Sequence, residues 1–335
     1  MARLLLLLLL LLGLAAARGS EPAPLDNCTG RHVLVAEPRP FQGAPPPLPE
    51  DLRWAYTRCG AIPVSPFYVD DFRGGLGTHY RHGRKDIAQR VAAAAKELAH
   101  ARPLVAARGD ATRAHLLGAL QVPAVAAALR RANASAVVFG STAPSIEALL
   151  LAAGAARVLT VEYNALGYDH AALATARPAE VEAAWRAGDA SRIPPPGSFD
   201  VAVSASSFDH DGLGRYGDPL APDGDLLAMR GMARYLKPQG LALVSVPVGP
   251  DRLWWNLMRV YGKVRLPLLL QGWDVLERVG WRGGAELEEG GGRGGGGGGS
   301  SSHPGKSHEP VFVLQQQEGV AQVAVAAAAA AQREL

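Results

Sequence analysis

Short apolar runs alternate with helical patterns through the middle of the chain. The runs at residues 136–139, 158–161, 201–204 and 241–246 are rich in valine and border turn residues. Residues 141–153 have helical spacing between the first two runs, and a second helical stretch separates the last two. Short buried runs with helices between them predict parallel strands joined by helical crossovers. The pattern therefore predicts an α/β fold.

The flanking segments extend this prediction. Helical spacing upstream covers residues 87–100 and 111–132, and residues 180–186 are typical of a helix rather than of a third strand. Downstream, residues 272–276 and 310–315 predict two strands around a run rich in glycine and serine. We expect a Rossmann-like sheet that is mostly parallel, with a C-terminal antiparallel hairpin and helices on both faces.

The N-terminus has the pattern of a secretory signal peptide. Arg3 precedes an apolar stretch at residues 4–14, and the alanines at 15–17 fit a small-x-small cleavage site. A bilayer-spanning helix needs about 20 apolar residues, so a cleaved signal is favoured and a single-pass anchor is the alternative. We expect the secretory pathway, either in the lumen of the endoplasmic reticulum or Golgi or as a secreted protein, with membrane contact only if the segment stays uncleaved.

Cysteine and asparagine positions agree with secretion. A disulfide between Cys28 and Cys59 would restrain a proline-rich arm, and two ordinary free thiols are the alternative. Asn27 and Asn133 each begin a glycosylation sequon. We expect a signal peptide or anchor (1–17), an irregular lead-in (18–59), one α/β domain (60–318) with an insertion (283–308), and an alanine-rich tail (319–335).

Composition narrows the classes of partner. Hydrophobic residues are 48% of the chain, enough for a sizeable core, and the formal net charge is +3 without a basic stripe. Nucleic-acid-binding domains cluster lysine and arginine on one face. The sequence therefore predicts no nucleic-acid partner and favours a small-molecule or glycan substrate.

The strongest candidate site follows the apolar run at 201–204. Asp209, His210 and Asp211 come after this strand, and sites in parallel sheets form at the carboxyl ends of strands. A neighbouring carboxylate can orient imidazole and tune its charge, which makes His210 a candidate base. A structural loop histidine is the alternative.

A second candidate site involves Gly140 and Glu162, which end the first two predicted strands. They lie 22 residues apart. In nucleotide-binding βαβ units an acid about 20 residues beyond the glycine turn reaches the ribose. The alternative for Glu162 is an ordinary carboxylate at a strand end.

Several motifs resemble those of class I S-adenosylmethionine-dependent methyltransferases. They are GDASRIP at residues 188–194, GSFDV at 197–201 and ARYLKPQG at 233–240. More narrowly, FDHDGLGRYGDPLAPDGD, VPVGPDRLWWN and VYGKVRLPLLLQGW resemble a branch catalogued as a Caenorhabditis protein family of unknown function. The resemblance covers roughly residues 60–282 and resumes at 309–315.

The resemblance implies S-adenosylmethionine as cofactor and assigns roles to individual residues. Glu162 would hold the ribose, Asp189 the adenine amino group with Ile193 packed nearby, and Gly140 would let the backbone approach the cofactor. His210, between Asp209 and Asp211, is the candidate base on the separate ground of its neighbouring carboxylates. The chain departs from the family pattern at Val138 and Thr142, which replace an acid and a glycine of the first-strand motif.

Two other functions remain open. Asp209 and Asp211 have the Asp-x-Asp spacing of metal-dependent glycosyltransferases, and a non-catalytic binding protein on a decayed methyltransferase fold is the third possibility. A serine hydrolase is disfavoured because no Gly-x-Ser-x-Gly elbow is present.

Trp254, Trp255 and Trp273 could line a substrate cleft, although core packing is the commoner use of such residues. Three residues after the Asp-His-Asp cluster are candidate contacts for an acidic or sugar-bearing substrate: Arg215, Tyr216 and Asp218. Lys237 is expected to cap a turn rather than to act in catalysis.

Overall fold

The computed structural model describes residues 38–100, 111–287 and 308–317. The predicted signal segment, Cys28, the sequon at Asn27, most of the glycine-rich insertion and the alanine-rich tail lie outside the described residues. In chain order the elements are α1 (Glu50–Tyr56), β1 (Val64–Phe67), β2 (His79–His82), α2 (Arg84–Ala99), α3 (Ala111–Leu120), α4 (Pro123–Leu129), β3 (Ser135–Phe139), α5 (Ser145–Ala153), β4 (Arg157–Val161), β5 (Ala165–Tyr168), β6 (Leu173–Ala176), α6 (Pro178–Ala187), β7 (Phe199–Ala205), α7 (Gly224–Met232), β8 (Leu236–Ser245), β9 (Arg252–Asn256), β10 (Met258–Val260), α8 (Arg265–Leu269), β11 (Trp273–Val279) and β12 (Val311–Gln316).

A seven-stranded sheet organises these elements, in the order β11-β12-β8-β7-β3-β4-β6. The five strands from β6 to β8 pair in parallel. β12 runs antiparallel to both β8 and β11, which makes the predicted C-terminal hairpin. The strand order reverses direction at β3, and ligands of open α/β sheets bind at such a switch point. The structure confirms the predicted α/β, Rossmann-like fold.

The core occupies both faces of this sheet. Alternate residues of β3 divide between the faces, with Val137 in a cluster beneath α6, α7 and α8 and Val138 in a cluster beneath α2 to α5. Both side chains are fully buried. Strands that are covered on both faces become continuous apolar runs instead of alternating ones. This explains why short apolar runs were a dependable sign of the central strands.

Some predicted elements have different boundaries in the structure. The helix expected over 111–132 is two helices, because Pro123 cannot continue α3 and instead begins α4. The irregular lead-in contains α1 in its described part. The third parallel strand, which had no clear pattern, is β6, and residues 180–186 are helical within α6 as expected.

Two small sheets were not anticipated. β1, β9 and β10 form one, and β2 pairs with β5 in the other. His82 of β2 also forms a 3.0 Å hydrogen bond with the backbone carbonyl oxygen of Thr142, so the second small sheet covers the turn after β3. Cys59 is disulfide-bonded. Within the described ranges, no helix has both the length and the hydrophobicity that crossing a bilayer requires.

Candidate functional site

A cavity of about 150 Å³ lies at the carboxyl edge of the central sheet. Its walls include Gly140 and Tyr163, which follow β3 and β4, and Asp211, which follows β7. Arg234 and Tyr235, after α7, close the opposite side. Residues far apart in sequence meet here because parallel strands all end at the same edge. The cavity is therefore at the switch point predicted for a site.

Asp211 is the only member of the Asp-His-Asp cluster in the wall of this cavity. Burial raises the pKa of Asp211 well above its usual range, and the neighbouring Asp218 raises it further. The Asp211 carboxyl, in turn, raises the pKa of the Tyr163 phenol, whose side chain is 40% exposed. The cavity thus presents a carboxyl group with a raised pKa close to a phenol.

Asp209 and His210 form an internal pair behind the cavity. His210 Nδ1 donates a 2.6 Å hydrogen bond to the carbonyl oxygen of Leu257, and its Nε2 lies 3.4 Å from Asp209 Oδ2. Burial lowers the pKa of His210 to about 4 and raises that of the fully buried Asp209 to about 7. Both ring nitrogens face protein atoms. The structure therefore corrects the expectation that His210 is a substrate-facing base.

Gly140 and Glu162 lie at the expected strand ends, but both contact protein groups. Gly140 has a φ of +69°, and a Cβ atom there would lie 1.8 Å from Ser207 Oγ, so Ser207 occupies the space beside it. Glu162 Oε1 accepts hydrogen bonds from the backbone N–H of Asn164 at 2.9 Å and from its side-chain amide at 3.1 Å. Asn164 Oδ1 accepts the N–H of Thr78 at 3.0 Å. Glu162 thereby links the end of β4 to the segment between β1 and β2 that carries Thr78.

Asp189 and Ile193 lie at the other edge of the sheet, which corrects their predicted role. α6 starts directly after the carboxyl end of β6, and its ten residues rise about 15 Å back towards the amino edge. Gly188 ends this helix with a φ of +64°, and the exposed Asp189 follows it. Ile193 is buried in the core. Because a helix separates β6 from Asp189, the motif cannot reach the cavity beside Tyr163.

Val138 and Thr142 mark the departures from the methyltransferase pattern. Val138 is fully buried in the core, so the first strand offers no acid at that position. The acid of this region is Glu147, which the sequence analysis missed. It is completely buried on α5 and accepts hydroxyl hydrogen bonds from Thr160 at 2.7 Å and Tyr168 at 3.0 Å. A lone acid in an otherwise apolar helical run was the available signal.

Residues of the motifs that carry the narrower resemblance take part in a buried ionic network. Arg58 binds both carboxylate oxygens of Asp223, at 2.7 and 2.8 Å. Arg265 Nε donates to Asp225 Oδ2 at 2.8 Å, and Arg259 Nε lies 3.7 Å from Asp225 Oδ1. Burial opposes the ionisation of Asp225, but the two arginines outweigh it and lower its pKa to about 2. Asp223, Asp225 and Arg265 of the motifs thus share one buried network with two arginines from outside them.

Asp218 and Arg215 also contact protein groups rather than open space. The Asp218 carboxylate accepts the backbone N–H groups of Gly212 at 2.7 Å and Gly214 at 3.0 Å. Arg215 Nε donates to Asp71 at 2.6 Å. Their predicted role as substrate contacts is replaced by a role in folding the loop. Tyr216, with Arg215 stacked over its ring at 4.8 Å, belongs to the same loop.

The remaining candidates are structural. Trp254, Trp255 and Trp273 are each 6% exposed, which agrees with core packing and not with an open cleft. Lys237 was expected to cap a turn, but its Nζ binds Asp200 Oδ2 at 2.8 Å.

The Asp-x-Asp pair does not converge on one metal position. Asp209 is fully buried beside His210, whereas Asp211 lies in the wall of the cavity. Across the described ranges, no group of three or more His, Cys, Asp or Glu residues has a geometry that could hold a metal ion. The orientation of the two acids therefore gives the glycosyltransferase interpretation no support.

The comparison with protein families agrees with the narrower resemblance. Residues 133–285 match the family described as "Caenorhabditis protein of unknown function, DUF268". This match, which covers somewhat less than half of the chain, confirms the predicted resemblance. The matched region contains β3 to β11, the cavity wall and most of the buried network. No curated protein sequence matches the chain.

Several solved structures similar to this chain are methyltransferases. A 1,6-didemethyltoxoflavin-N1-methyltransferase of Burkholderia thailandensis, with bound 1,6-didemethyltoxoflavin and S-adenosylhomocysteine, is 18% identical over 76% of this chain and 100% of that chain, with a TM-score of 0.36. A TehB-like S-adenosylmethionine-dependent methyltransferase of Corynebacterium glutamicum is 18% identical over 68% and 99%, with a TM-score of 0.32. Mitomycin 7-O-methyltransferase MmcR is 16% identical over 70% and 67%, with a TM-score of 0.31. Similarity this distant says nothing about substrate.

Proposed function

We propose that this protein binds S-adenosylmethionine through its adenosyl part in the carboxyl-edge cavity and transfers its methyl group. One observation carries the proposal: Gly140, Tyr163 and Asp211, from the turns after three neighbouring parallel strands, line one cavity at the switch point of the sheet. Nucleotide-binding α/β sheets hold their ligands at this place.

The cavity fits part of the cofactor. Phe139, Tyr163 and Tyr235 supply aromatic surface for a planar ring. At about 150 Å³ the cavity is smaller than ligand pockets of roughly 300–1,000 Å³, so it can enclose a ring-sized group but not the whole cofactor. Because Val138 stands at the position of the expected acid, the protein offers no acid there to the methionine end of the cofactor. The cavity therefore fits the adenosyl part of the cofactor.

Methyl transfer requires little of the protein beyond positioning the cofactor and the acceptor. S-adenosylmethionine supplies an electrophilic methyl group on a sulfonium, and two reactants held in line gain most of the acceleration from proximity. A base helps when the acceptor must lose a proton, and its pKa is best near the working pH. Asp211, with its pKa raised by burial, would take that proton. The Asp209–His210 pair would support the Asp211 loop from behind. The acceptor would be a small molecule or a glycan.

The test is a calorimetric titration of the full chain with S-adenosylhomocysteine. We expect saturable binding that Tyr163→Ala weakens about tenfold, the loss of roughly one aromatic stacking contact. Tyr68→Ala is the control, because Tyr68 is also an exposed tyrosine, hydrogen-bonded to Pro45 instead of lining the cavity. Absence of saturable binding would overturn the proposal.

A second measurement separates catalysis from binding alone. Formation of S-adenosylhomocysteine is followed with small-molecule and glycan extracts of the secretory pathway as acceptors. Asp211→Asn should leave cofactor binding intact and slow product formation about a hundredfold, the range expected for loss of a general base. Binding with no product formation would assign the non-catalytic alternative. The position of His210 outside the cavity wall favours that alternative.

We also propose that the protein works in the secretory pathway. The support is the signal-peptide pattern of residues 1–17 together with the disulfide-bonded Cys59, since disulfides persist in oxidising compartments. Asn133 is exposed in the turn between α4 and β3, where a glycan could be accommodated. Expression in animal cells should give a form that glycosidase treatment shortens, and Asn133→Gln should remove part of that shift. A protein that stays cytosolic and unglycosylated would contradict this proposal.

A further inference from the structure

A second cavity, of about 600 Å³, lies at the amino edge of the central sheet. The starts of β3, β4, β6 and β7 form its floor, and the segment at residues 190–198 forms one wall. This segment belongs to the motif region that the sequence analysis assigned to adenine binding. The volume falls within the range of about 300–1,000 Å³ for small-molecule pockets. The motif thus lines a ligand-sized cavity, but at the opposite edge from the candidate site.

All charged side chains in the wall of this cavity are cationic. They are Arg157 at the start of β4, Arg192 in the wall segment, and Lys237 at the start of β8. Lys237 binds the buried Asp200 at 2.8 Å. Among the described residues, neither Arg157 nor Arg192 has a carboxylate within 4.0 Å. Asp189, close to Arg192, accepts the N–H of Ser191 at 2.9 Å. Two guanidinium groups therefore border the cavity with no carboxylate of the described residues within 4.0 Å, and Asp189 interacts with Arg192 only at longer range.

The rest of the wall combines apolar and hydroxyl groups. Leu173 and Phe199 are buried, and Pro194 stands beside them, so a non-polar face is available. Ser191 and Ser198 add hydroxyl groups at the same wall. A pocket of this kind binds the organic part of a ligand through contact area and fixes its orientation with a few polar groups.

We infer that this amino-edge cavity binds a small organic molecule carrying a phosphate or sulfate group. The planar guanidinium forks of Arg157 and Arg192 match the oxygens of a tetrahedral anion, which arginine holds through paired, charge-assisted hydrogen bonds. The wall of Leu173, Pro194 and Phe199 contacts the organic part. The inference is independent of the proposed methyltransferase function, because the two cavities lie at opposite edges of the sheet.

The experiment titrates the full chain with glucose 6-phosphate, glucose 6-sulfate and inorganic phosphate, and measures heat or amide chemical shifts. We expect saturable binding of at least one sugar ester, tighter than that of inorganic phosphate. Arg157→Gln and Arg192→Gln should each weaken it about ten- to a hundredfold, the loss of one charge-assisted contact. Arg157→Lys and Arg192→Lys, which keep the charge but lose the fork, should weaken it less.

Arg278→Gln is the matched control, because it removes one positive charge from an exposed position on β11, outside the cavity wall. It should bind as the natural protein does. Both cavity arginines are exposed, and unchanged unfolding curves will show that their variants fold. The inference is overturned if no probe binds, if the cavity variants bind like Arg278→Gln, or if inorganic phosphate binds as tightly as the esters.

Discussion

Arg259 donates a 2.6 Å hydrogen bond to the backbone carbonyl oxygen of Asp211. The same guanidinium reaches the carbonyl oxygens of Ala221 and Pro222, at 3.3 and 3.2 Å. The acid in the cavity wall is therefore held by a residue of β10 that is itself almost completely buried. A loop held by a buried cation keeps its side chains in place without help from a ligand.

Removal of one arginine from the buried network should destabilise the fold strongly. Arg265→Met would leave the buried negative charges of Asp225 and Asp223 with less positive charge beside them. Breaking a buried ion pair lowers the free energy of unfolding by about 3–5 kcal/mol. Arg53→Met is the control, since Arg53 pairs with Glu50 on the surface, where such pairs contribute about 0–1 kcal/mol. Urea unfolding measures both free energies. Equal losses for the two variants would show that the network contributes no more than a surface pair.

Substitution of Gly140 should be costly for two separate reasons. Its positive φ alone costs other residues about 1–2 kcal/mol, and an added Cβ would collide with Ser207 Oγ. We expect Gly140→Ala to lose at least that free energy of unfolding, and Ser207→Gly in the same chain to recover the part due to the collision. Gly231→Ala has free space and an ordinary helical φ, so it should be neutral or gain up to about 1 kcal/mol. Identical values for Gly140→Ala with and without Ser207→Gly would contradict the packing argument.

The contrast between Glu162 and Asp189 shows what the sequence could predict. The end of β4 was recognisable because a buried apolar run stops at Glu162, and burial on both faces gives such runs their signal. Asp189 was predicted at the carboxyl edge of the sheet but lies at the amino edge. The sequence of β6, LATA, has a weak apolar pattern, so the strand that precedes α6 was not recognised. The edge of the sheet at which a motif lies can be predicted only when the element that precedes the motif is known.

The orientation of the side chains within the Asp209–Asp211 cluster could not be predicted from the sequence either. Successive loop residues can face the core or a cavity, and here the choice depends on Leu257 and Arg259, which lie far along the chain. The sequence therefore predicted the sheet edge at which the cavity lies, but not which of these acids lines the cavity. The three tryptophans, by contrast, were correctly expected to favour the core.

The Asp209–His210 pair predicts two opposite pH dependences of stability. The pKa of Asp209 is about 7 when folded, above its unfolded value near 4, so the folded state binds more protons and stability falls as pH rises through this window. The pKa of His210 is about 4 when folded, below its unfolded value near 6.5, so stability rises with pH between them. In the natural chain the two slopes oppose each other between about pH 4 and 6.5.

Single substitutions should expose each slope in turn. Relative to the natural chain, Asp209→Asn should make the free energy of unfolding rise more steeply with pH between about 4 and 6.5, because only His210 then titrates. His210→Gln should make it fall more steeply up to about pH 7. Urea unfolding at a series of pH values measures both. Parallel pH profiles for the natural chain and the two variants would contradict the proposed burial of the pair.

The central claim is that the cofactor binds at the carboxyl edge of the sheet, between Tyr163 and Asp211. Hydrogen–deuterium exchange of the full chain, with and without S-adenosylhomocysteine, tests it most directly. We predict slower exchange in the peptides covering residues 139–142, 161–164 and 207–211, with no change at 188–198. Protection confined to residues 188–198, at the amino edge, would contradict the account.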